Sequence, residues 1–403
     1  MHPRKRMLGA RPVLLYLYLH NRSGAPQSDE PHEYRLLEAI SRKCTVVVAF
    51  FTRSRKVEFQ ERIAPPHALL LPIRDLPLVD RLPTLLRWPL DTTLRTLRTL
   101  LLVWIMRPDV LDGNWLTRQG GLYCSFSGYH PFLATAWASD SLIEAKKSRI
   151  LRLFGKLTVR IADSVIVEGS EVTRKAVIRL GCDSSKIYSF PWGIDLDTFR
   201  PRKKASPSED LKKWGRKTKI IISTRNHSPI YGIEYLIRAI PLILEKVDYA
   251  RFLIAGDGPL LTYHRALVRQ LGIEECVRFL GRIPNAALAE LLNYADIYVS
   301  TSFSDGASIS LLEALATGLP TVVTAIPANR EWIVPGRNGF LVPPGDSSAL
   351  ADSVVRLLES KTLRSKMRHF NRRVAEERAD WKTNSTVLER CISNLLEMSE
   401  RSG

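Results

Sequence analysis

The chain has 403 residues, of which 45% are hydrophobic and 25% charged, and its formal net charge is +18. This composition is typical of an ordinary globular protein, and the length predicts two domains of about 200 residues each. Five dispersed cysteines without a C-x-x-C pair argue against a disulfide framework or a structural zinc site and favour a cytosolic compartment. The positive charge predicts an anionic partner, a membrane surface, or only high solubility.

The first apolar run, Val13–Leu19, follows several basic residues and superficially resembles a signal peptide. No small-residue cleavage site follows it, so we interpret it as a buried first strand. A turn containing Gly24, a helical pattern at 33–40 and an apolar strand at 45–51 then predict a βαβ unit with a parallel sheet. Gly24 lies at the carboxyl end of the first strand, where such sheets bind ligands, although a plain turn glycine is an equally good interpretation.

Two segments of the first half combine cations with apolar side chains. Residues 52–107 interleave basic residues with many leucines, and residues 146–160 contain six cations and no acidic residue. Such segments bind the interface of anionic membranes, and amphipathic helices that cover the sheet are the alternative for each. No apolar run reaches the roughly 20 residues of a membrane-spanning helix. We therefore expect a cytoplasmic protein that is peripheral on the inner face of the plasma membrane.

The second half repeats the α/β order more regularly. Apolar strands at 220–222, 252–254, 277–280 and 297–299 alternate with helical patterns, which predicts a second doubly wound parallel sheet. A polar, proline-containing run after residue 201 predicts the boundary between an N-terminal domain, 1–200, and a C-terminal domain, 201–380. Residues 381–403 are predicted to form a last helix that packs back on the N-terminal domain.

The stretch 300–320 is the strongest candidate for a binding site. A short strand leads through a polar turn containing Asp305 into a helix that starts at about Ser308. Backbone N–H groups at a helix start lack intrahelical partners and attract anions. Asp305 and Glu313 would repel a bare phosphate, but carboxylates accept hydrogen bonds from sugar hydroxyls, so together they indicate a nucleotide sugar. The alternative is a capping box, Ser310-Leu311-Leu312-Glu313, in which Glu313 bonds only to its own backbone.

Five motifs follow one another along the chain. They are G-I-D-L-D-T-F-R-P at 193–201, S-T-R at 223–225, A-G-D-G-P at 255–259, F-L-G-R-I-P at 279–284, and the stretch 300–320 with its continuation G-L-P-T-V-V-T at 318–324. With these motifs in this order, the chain from residue 162 to residue 358 resembles the retaining GT-B glycosyltransferases of family 4, also called glycosyl transferases group 1. The resemblance implies an α/β fold of GT-B type, with two facing Rossmann-like doubly wound domains and a cleft between them.

The resemblance also implies an activity and a set of site residues. It implies a retaining, metal-independent hexosyltransferase without a cofactor, whose donor substrate is a nucleoside-diphosphate sugar. Asp305, Glu313 and Arg225 are the expected catalytic residues, contacting the donor sugar, the ribose and the diphosphate respectively. The expected donor-binding residues are Gly24, Arg225, Tyr231, Ile283, Asp305, Gly306, Ala307, Ser308, Ile309 and Glu313. Trp137 and Asp140 are expected on the side of the acceptor, a glycan or lipid-linked molecule of cell-envelope or exopolysaccharide synthesis.

Four positions depart from the family pattern. The first acidic residue is Asp305 instead of Glu, Tyr231 replaces a lysine, Trp137 replaces a histidine, and His20 does not lie in the family's glycine pair. Losing one preorganised donor to a leaving diphosphate costs about 3 kcal/mol, so Arg225, the helix dipole and Arg282 are expected to compensate. Trp137 is expected either to stack on a sugar ring or to fill the core.

Two motifs and two other functions are weighed against this interpretation. Asp195-Leu196-Asp197 has the form of a metal-binding D-x-D motif but lies in the interdomain segment, and Gly256-Asp257-Gly258 lacks the third glycine of a dinucleotide fingerprint. A non-catalytic GT-B scaffold that binds a membrane or a protein is the alternative function, motivated by Tyr231 and Trp137. Nucleic-acid binding is not expected, because no basic and aromatic motif accompanies the positive charge.

Overall fold

The structure, a computed structural model, describes residues 11–19, 32–52, 68–74, 84–117, 119–202, 213–215 and 217–402. The chain divides into two compact units, each described here by itself. Among the described residues, the first unit contains 11–190 and 385–402, and the second contains 191–384. The expectations for His20 and Gly24 fall outside the described residues.

The first unit is a parallel sheet with flanking helices. Its strands are β1 (Val13–Leu19), β2 (Thr45–Thr52), β3 (Leu69–Arg74), β4 (Val110–Asn114), β5 (Phe132–Ala136), β6 (Ser164–Glu168) and β7 (Ile187–Phe190). Its longer helices are α1 (His32–Ser41), α2 (Thr84–Met106), α3 (Gln119–Ser127), α4 (Arg149–Ile161) and α5 (Glu171–Arg179). The strand order is β3-β2-β1-β4-β5-β6-β7, with Leu14 of β1 in register with Val46 and Val110.

The second unit repeats this plan. Its strands are β8 (Lys219–Ser223), β9 (Ala250–Ala255), β10 (Val277–Gly281), β11 (Ile297–Ser300), β12 (Thr321–Thr324) and β13 (Gly339–Val342), in the sheet order β10-β9-β8-β11-β12-β13. Its helices are α6 (Ile233–Leu244), α7 (Leu261–Gln270), α8 (Asn285–Tyr294), α9 (Ile309–Ala316), α10 (Pro327–Arg330), α11 (Ser347–Glu359), α12 (Lys361–Arg378) and α13 (Trp381–Asn384). All strand pairs are parallel.

The second sheet is buried on both faces because the middle positions of its central strands are apolar, as in Ile220–Ile222 of β8 and Phe252–Ile254 of β9. Ile220 and Ile222 of β8 belong to the cluster under α9 and α12, whereas Ile221 belongs to the cluster under α6 and α11. Successive side chains of a strand point to opposite faces, so one run of isoleucines supplies both layers. This confirms the predicted α/β class for the second half.

The order of the second sheet identifies the place where sheets of this type bind ligands. From β8 the chain proceeds to β9 and β10 on one side of the sheet and then returns, so that β11 lies directly beside β8 on the other. At such a reversal the loops after the two adjacent strands diverge and leave a crevice at the carboxyl ends. In this unit those are the loops that begin at Thr224 and Thr301.

The end of the chain forms two helices. Trp381, on α13, packs against Trp192 within the second unit, with ring centroids 5.0 Å apart. The last helix, α14 (Thr386–Ser402), belongs to the first unit, where it packs on α1 and β7. Asn394 on that helix donates a hydrogen bond of 2.7 Å to the Tyr188 hydroxyl. Across the described ranges, every helix is too short or too polar to cross a bilayer.

Asn371 fixes α12 to the second sheet, and we expect Asn371→Ala to destabilise that unit. Its buried amide nitrogen donates to the carbonyl oxygens of Leu319, at 2.6 Å, and Asn338, at 2.9 Å. A buried acceptor left without its donor costs about 1–3 kcal/mol, so the free energy of unfolding in urea should fall by about 3 kcal/mol. Gln270→Ala, at an exposed position of the same unit, is the control. Equal stability of Asn371→Ala and the parent protein would contradict this role.

Candidate functional site

Arg225 is the centre of the candidate site. It lies two residues after β8, at the reversal of the second sheet, and is 7% exposed. Its Nη2 donates to the Asp305 carboxylate at 2.6 Å. Its Nη1 donates to the hydroxyls of Ser308, at 2.9 Å, and Ser310, at 3.1 Å. One guanidinium therefore joins the loop after β8 to the loop after β11 and to the first turn of α9.

The Tyr231 ring lies against the Arg225 side chain. The Arg225 Cζ atom lies 4.1 Å from the centroid of the Tyr231 ring, within the range of a cation–π interaction. The Tyr231 carbonyl oxygen accepts a 3.0 Å hydrogen bond from the Thr301 hydroxyl. Gly232 follows with a φ of 56°, and a Cβ there would lie 2.6 Å from the Thr301 carbonyl oxygen. Tyr231 is thus held against the loop that follows β11. Its ring stabilises the Arg225 cation and adds no second positive charge.

The electrostatic surroundings keep Arg225 charged. Burial acts to lower the pKa of the guanidinium, but Asp305 and the rings of Tyr231 and Tyr298 act to raise it, and the net shift is upward. Asp305 is itself engaged through both oxygens, because its second oxygen accepts a 3.0 Å bond from the Gly306 N–H. The site therefore contains a paired, permanently charged cation.

The helix α9 starts at Ile309, with Ser308 as its N-cap. The Ser308 side chain makes no capping bond to the helix, since its hydroxyl accepts from Arg225 instead. Because the cap is Ser308, the capping-box interpretation of Ser310 and Glu313 is wrong: Glu313 lies beyond the first turn. The loop of Gly306 and Ala307 leads directly into this uncapped helix start.

Glu313 is buried on α9, with 8% of its surface exposed. Its charge and that of Arg225 act on the same neighbour, Tyr298 of β11. Burial raises the pKa of the Tyr298 phenol, Arg225 lowers it, and Glu313 raises it further. The structure thus brings Arg225, Asp305 and Ser308 together, with Glu313 on the same helix, and their role in donor binding stays a prediction.

Ile283 lies on the same carboxyl edge of the sheet but farther along it. It follows the edge strand β10, which is separated from β8 by β9. The glycines of the A-G-D-G-P motif explain how the loops approach each other there. Gly256 has a φ of 119°, and a Cβ on it would lie 2.5 Å from the Arg225 carbonyl oxygen. These glycines thus serve close backbone packing, and the donor-binding role of Ile283 stays a prediction.

Two buried histidines next to this loop were missed from the sequence. His227, two residues after Arg225, lies with its Nδ1 2.7 Å from Nδ1 of His264 on α7. A hydrogen bond between them requires one nitrogen to donate and the other to accept. Burial and the neighbouring His264 lower the pKa of His227 to about 4, and burial lowers that of His264. The sequence signal that could have identified this pair is that His227 follows the S-T-R motif by two residues.

The predicted acceptor-side residues lie at the carboxyl ends of β4 and β5 in the first unit. Trp137 donates through its indole nitrogen to the Asn114 side chain. Asp140 is fully buried and accepts from the backbone N–H groups of Leu116, at 2.9 Å, and Trp137, at 3.2 Å. Burial raises the pKa of Asp140 to about 7, against these hydrogen bonds. Asp140 positions Trp137, and contact of either residue with an acceptor stays a prediction.

The D-x-D look-alike has local structural partners. Asp195 accepts bonds from the Asp197 N–H, at 2.9 Å, and the Thr198 hydroxyl, at 2.6 Å. Asp197 forms an exposed ion pair of 2.8 Å with Lys382. These contacts stabilise the turn that leads into the second unit.

Part of the second unit matches a known protein family. Residues 208–374 match the family Glycosyl transferases group 1. The matched segment contains Arg225, Asp305 and Glu313 but neither Trp137 nor Asp140. It supports the predicted group for the second unit, including the segment that carries the candidate donor site.

Individual relatives support the same group. A phosphatidyl-myo-inositol mannosyltransferase of Mycobacterium leprae is 33% identical over 190 residues, 46% of this chain and 47% of that protein. The putative colanic acid biosynthesis glycosyltransferase WcaL of Escherichia coli is 27% identical over 225 residues, 54% of this chain and 53% of that protein. The chain thus spans about half the length of the curated relatives it matches.

A solved structure shows the fold over nearly the whole chain. The structure of Anabaena HepE in complex with UDP aligns with a TM-score of 0.74 at 19% identity, covering 95% of this chain and 100% of that one. The predicted fold class, two Rossmann-like units of GT-B type, is confirmed by this similarity and by the two parallel sheets.

The histidine pair generates a prediction about acid stability. A folded-state pKa below the unfolded value of about 6.5 means that the unfolded chain binds more protons as the pH falls from about 6.5 towards 4. The second unit should therefore lose stability across this window. Replacing both His227 and His264 by Gln should flatten the change in thermal midpoint between neutral and mildly acidic pH.

The exposed His369, replaced by Gln, is the control and should leave the pH dependence as in the parent protein. Asp257 opposes and Arg265 reinforces the low pKa of His227, so both are kept unchanged in these variants. An identical slope for the double variant and the parent protein would show that the pair does not govern acid stability.

Proposed function

We propose that this protein is a retaining glycosyltransferase that moves a hexose from a nucleoside-diphosphate sugar to a lipid-linked or polysaccharide acceptor. The reaction is proposed to proceed without a metal ion, at the cytoplasmic face of the plasma membrane, in cell-envelope or exopolysaccharide synthesis. The observation that carries the proposal is the buried Arg225, paired with Asp305 beside an uncapped helix start. The family match and the names of the relatives point in the same direction.

The arrangement suits a diphosphate better than a neutral ligand. A planar guanidinium donates to phosphate oxygens in a fixed geometry and stays charged. The free N–H groups at the start of α9 add donors and the positive end of the helix dipole. Charge develops on the diphosphate as the glycosidic bond breaks, and preorganised donors stabilise that charge more than the bound ground state. Arg225 would therefore act on both binding and rate.

The carboxylates supply the second half of donor recognition. Asp305 is proposed to bind hydroxyls of the donor sugar and Glu313 those of the ribose, because ionised carboxylates only accept hydrogen bonds. In the proposed retaining reaction the leaving phosphate takes the proton of the acceptor hydroxyl on the same face of the sugar. This route requires no separate strong base among the side chains.

Asp305 and a bound diphosphate would compete for the hydrogen bond from Nη2 of Arg225. The Nη2 of Arg225 points to Asp305 at 2.6 Å, and both oxygens of Asp305 already have partners. A diphosphate that takes Nη2 would release an oxygen of Asp305 for the sugar hydroxyls. Donor binding is thus proposed to exchange one ion pair for another, which couples recognition of the phosphate to recognition of the sugar.

A thermal-shift panel of UDP, GDP and ADP tests donor binding. We expect one of them to raise the melting temperature selectively, because a ligand that binds only the folded state stabilises it. Arg225→Ala should abolish the rise, and Glu313→Gln should weaken it. Arg269→Ala, a cation at an exposed position of α7, is the control for loss of charge. No rise with any nucleotide, or a rise unaffected by Arg225→Ala, would favour the scaffold function.

Asp305→Asn separates binding from transfer. The amide removes the charge that competes for Arg225, so affinity for the nucleoside diphosphate should stay the same or increase. Sugar transfer from the corresponding nucleotide sugar, measured with a membrane extract as acceptor source, should fall by about 100-fold or more, the range expected for losing one preorganised hydrogen bond to the transition state. Parallel loss of nucleotide binding in Asp305→Asn would contradict the proposed exchange.

A further inference from the structure

Three helices of the first unit lie side by side and present an unusual outer surface. Helix α3 packs between α2 and α4. Large apolar side chains of all three are exposed, and we call them the apolar stripe. Its members are Leu90, Leu97, Leu101, Trp104 and Ile105 of α2, Phe126 of α3, and Ile150 and Leu153 of α4.

Helix α2 contributes Val103 to the core of the first unit, but it also exposes large apolar side chains. Leu97 and Leu101 are each 55% exposed and Trp104 is 68% exposed, at spacings of four and three residues that place them on one face. The opposite face buries Arg95, which pairs with Asp91 at 3.1 Å, and Thr99, whose hydroxyl bonds to the Arg95 carbonyl at 2.9 Å. A helix serving only the core would point the leucines inward and these polar groups outward.

Helix α4 buries Val159 and partly buries Phe154 and Leu157, but it too exposes apolar side chains, together with a high positive charge. Ile150 and Leu153 are 58% and 63% exposed, and they lie among exposed cations of the same helix. The inward positions of α4 are Gly155, Thr158 and Val159. The exposed cations of this helix are Arg149, Arg152, Lys156 and Arg160.

The charges on these helices identify the partner. The sequences of α2, α3 and α4 contain one acidic residue, Asp91, which is already paired with Arg95. Apolar side chains surrounded by cations match a surface that offers hydrocarbon below a layer of negative charge. An exposed tryptophan is typical of the membrane–water interface, where its apolar ring and polar N–H are both accommodated.

A cavity of about 440 Å³ adjoins the stripe. Its lining consists of Leu100, Val103, Trp104, Arg107, Ser127 and Tyr129. These residues come from the last turns of α2 and α3 and the segments that follow them. The apolar part of this cleft suits an acyl chain, and the exposed arginine beside it suits a phosphate. The surrounding surface presents the same combination of apolar and positively charged groups.

From these observations we propose that α2, α3 and α4 dock the first unit onto an anionic phospholipid bilayer, with the apolar stripe in the interface and the α4 cations against the head groups. This surface is separate from the residues around Arg225, so its test requires neither nucleotide nor acceptor. Failure of donor binding and failure of docking are therefore distinguishable.

Vesicle flotation with the full chain tests the docking surface. We expect binding to vesicles of phosphatidylcholine and phosphatidylglycerol and little binding to phosphatidylcholine alone. The variant Leu97→Ser, Leu101→Ser, Trp104→Ser should lower the partition coefficient by about tenfold or more, equivalent to about 1.4 kcal/mol. The control replaces Tyr249 and Val334, exposed apolar residues of the second unit, by Ser and should bind like the parent protein.

A charge-matched pair of variants tests the cations. Arg149→Gln, Lys156→Gln, Arg160→Gln should weaken binding to anionic vesicles, and added salt should reduce the difference from the parent protein because exposed charges are screened. Arg269→Gln, Lys361→Gln, Lys366→Gln removes the same net charge from exposed positions of the second unit and should change binding much less. Unchanged melting temperatures would show that the variants are folded.

Three outcomes would overturn the proposal. The first is equal vesicle binding by the stripe variant and the parent protein. The second is equal loss of binding in both charge variants, which would indicate net charge without a defined surface. The third is a parent protein that forms a dimer, has no vesicle affinity, and becomes monomeric when the stripe is replaced, which would make this surface a self-association interface.

Discussion

The ion pair between Arg225 and Asp305 is the interaction on which the candidate site depends. A buried guanidinium is unfavourable unless a charge and hydrogen-bond acceptors compensate it. Asp305, two serine hydroxyls and the Tyr231 ring provide that compensation, and they come from loops that follow two different strands. The pair therefore fixes the two loops at the sheet reversal relative to each other. It also occupies the Ser308 hydroxyl, which leaves the start of α9 without its usual side-chain cap.

The replacement of a lysine by Tyr231 changes the charge balance of this site. A second cation would leave the loops with excess positive charge, whereas an aromatic ring supports Arg225 without adding any. The one guanidinium is matched by Asp305, so attraction of an anion depends on shifting this pair and on the helix start. The site consequently relies on Arg225 more heavily than a site with two cations would, and a neutral substitution of Tyr231 that keeps the ring preserves the same balance.

Local sequence patterns predicted the elements of the second unit well, because buried parallel strands and amphipathic helices have strong periodicities. The helical pattern predicted between the strands at 220–222 and 252–254 corresponds to α6. Patterns that extend over a few residues do not show which residues distant in the sequence will contact each other. The Arg225–Asp305 pair joins residues 80 positions apart, and the contact between His227 and His264 depends on how α7 packs. The capping-box interpretation failed for the same reason, since a local motif does not reveal that Arg225 recruits Ser308.

The first unit illustrates a different limit of sequence analysis. Hydrophobic periodicity specifies that a helix has two faces, but it does not specify which face is turned inward. For α2 and α4 the sequence left a core-covering helix and a membrane helix as alternatives, and both give the same pattern. The structure shows that α2 turns Arg95, Thr99 and the apolar Val103 inward. Leu97, Leu101 and Trp104 of the same helix are exposed. The proposed donor recognition and the proposed surface attachment thus involve different elements, and the segment that matches the family, 208–374, lies in the second unit.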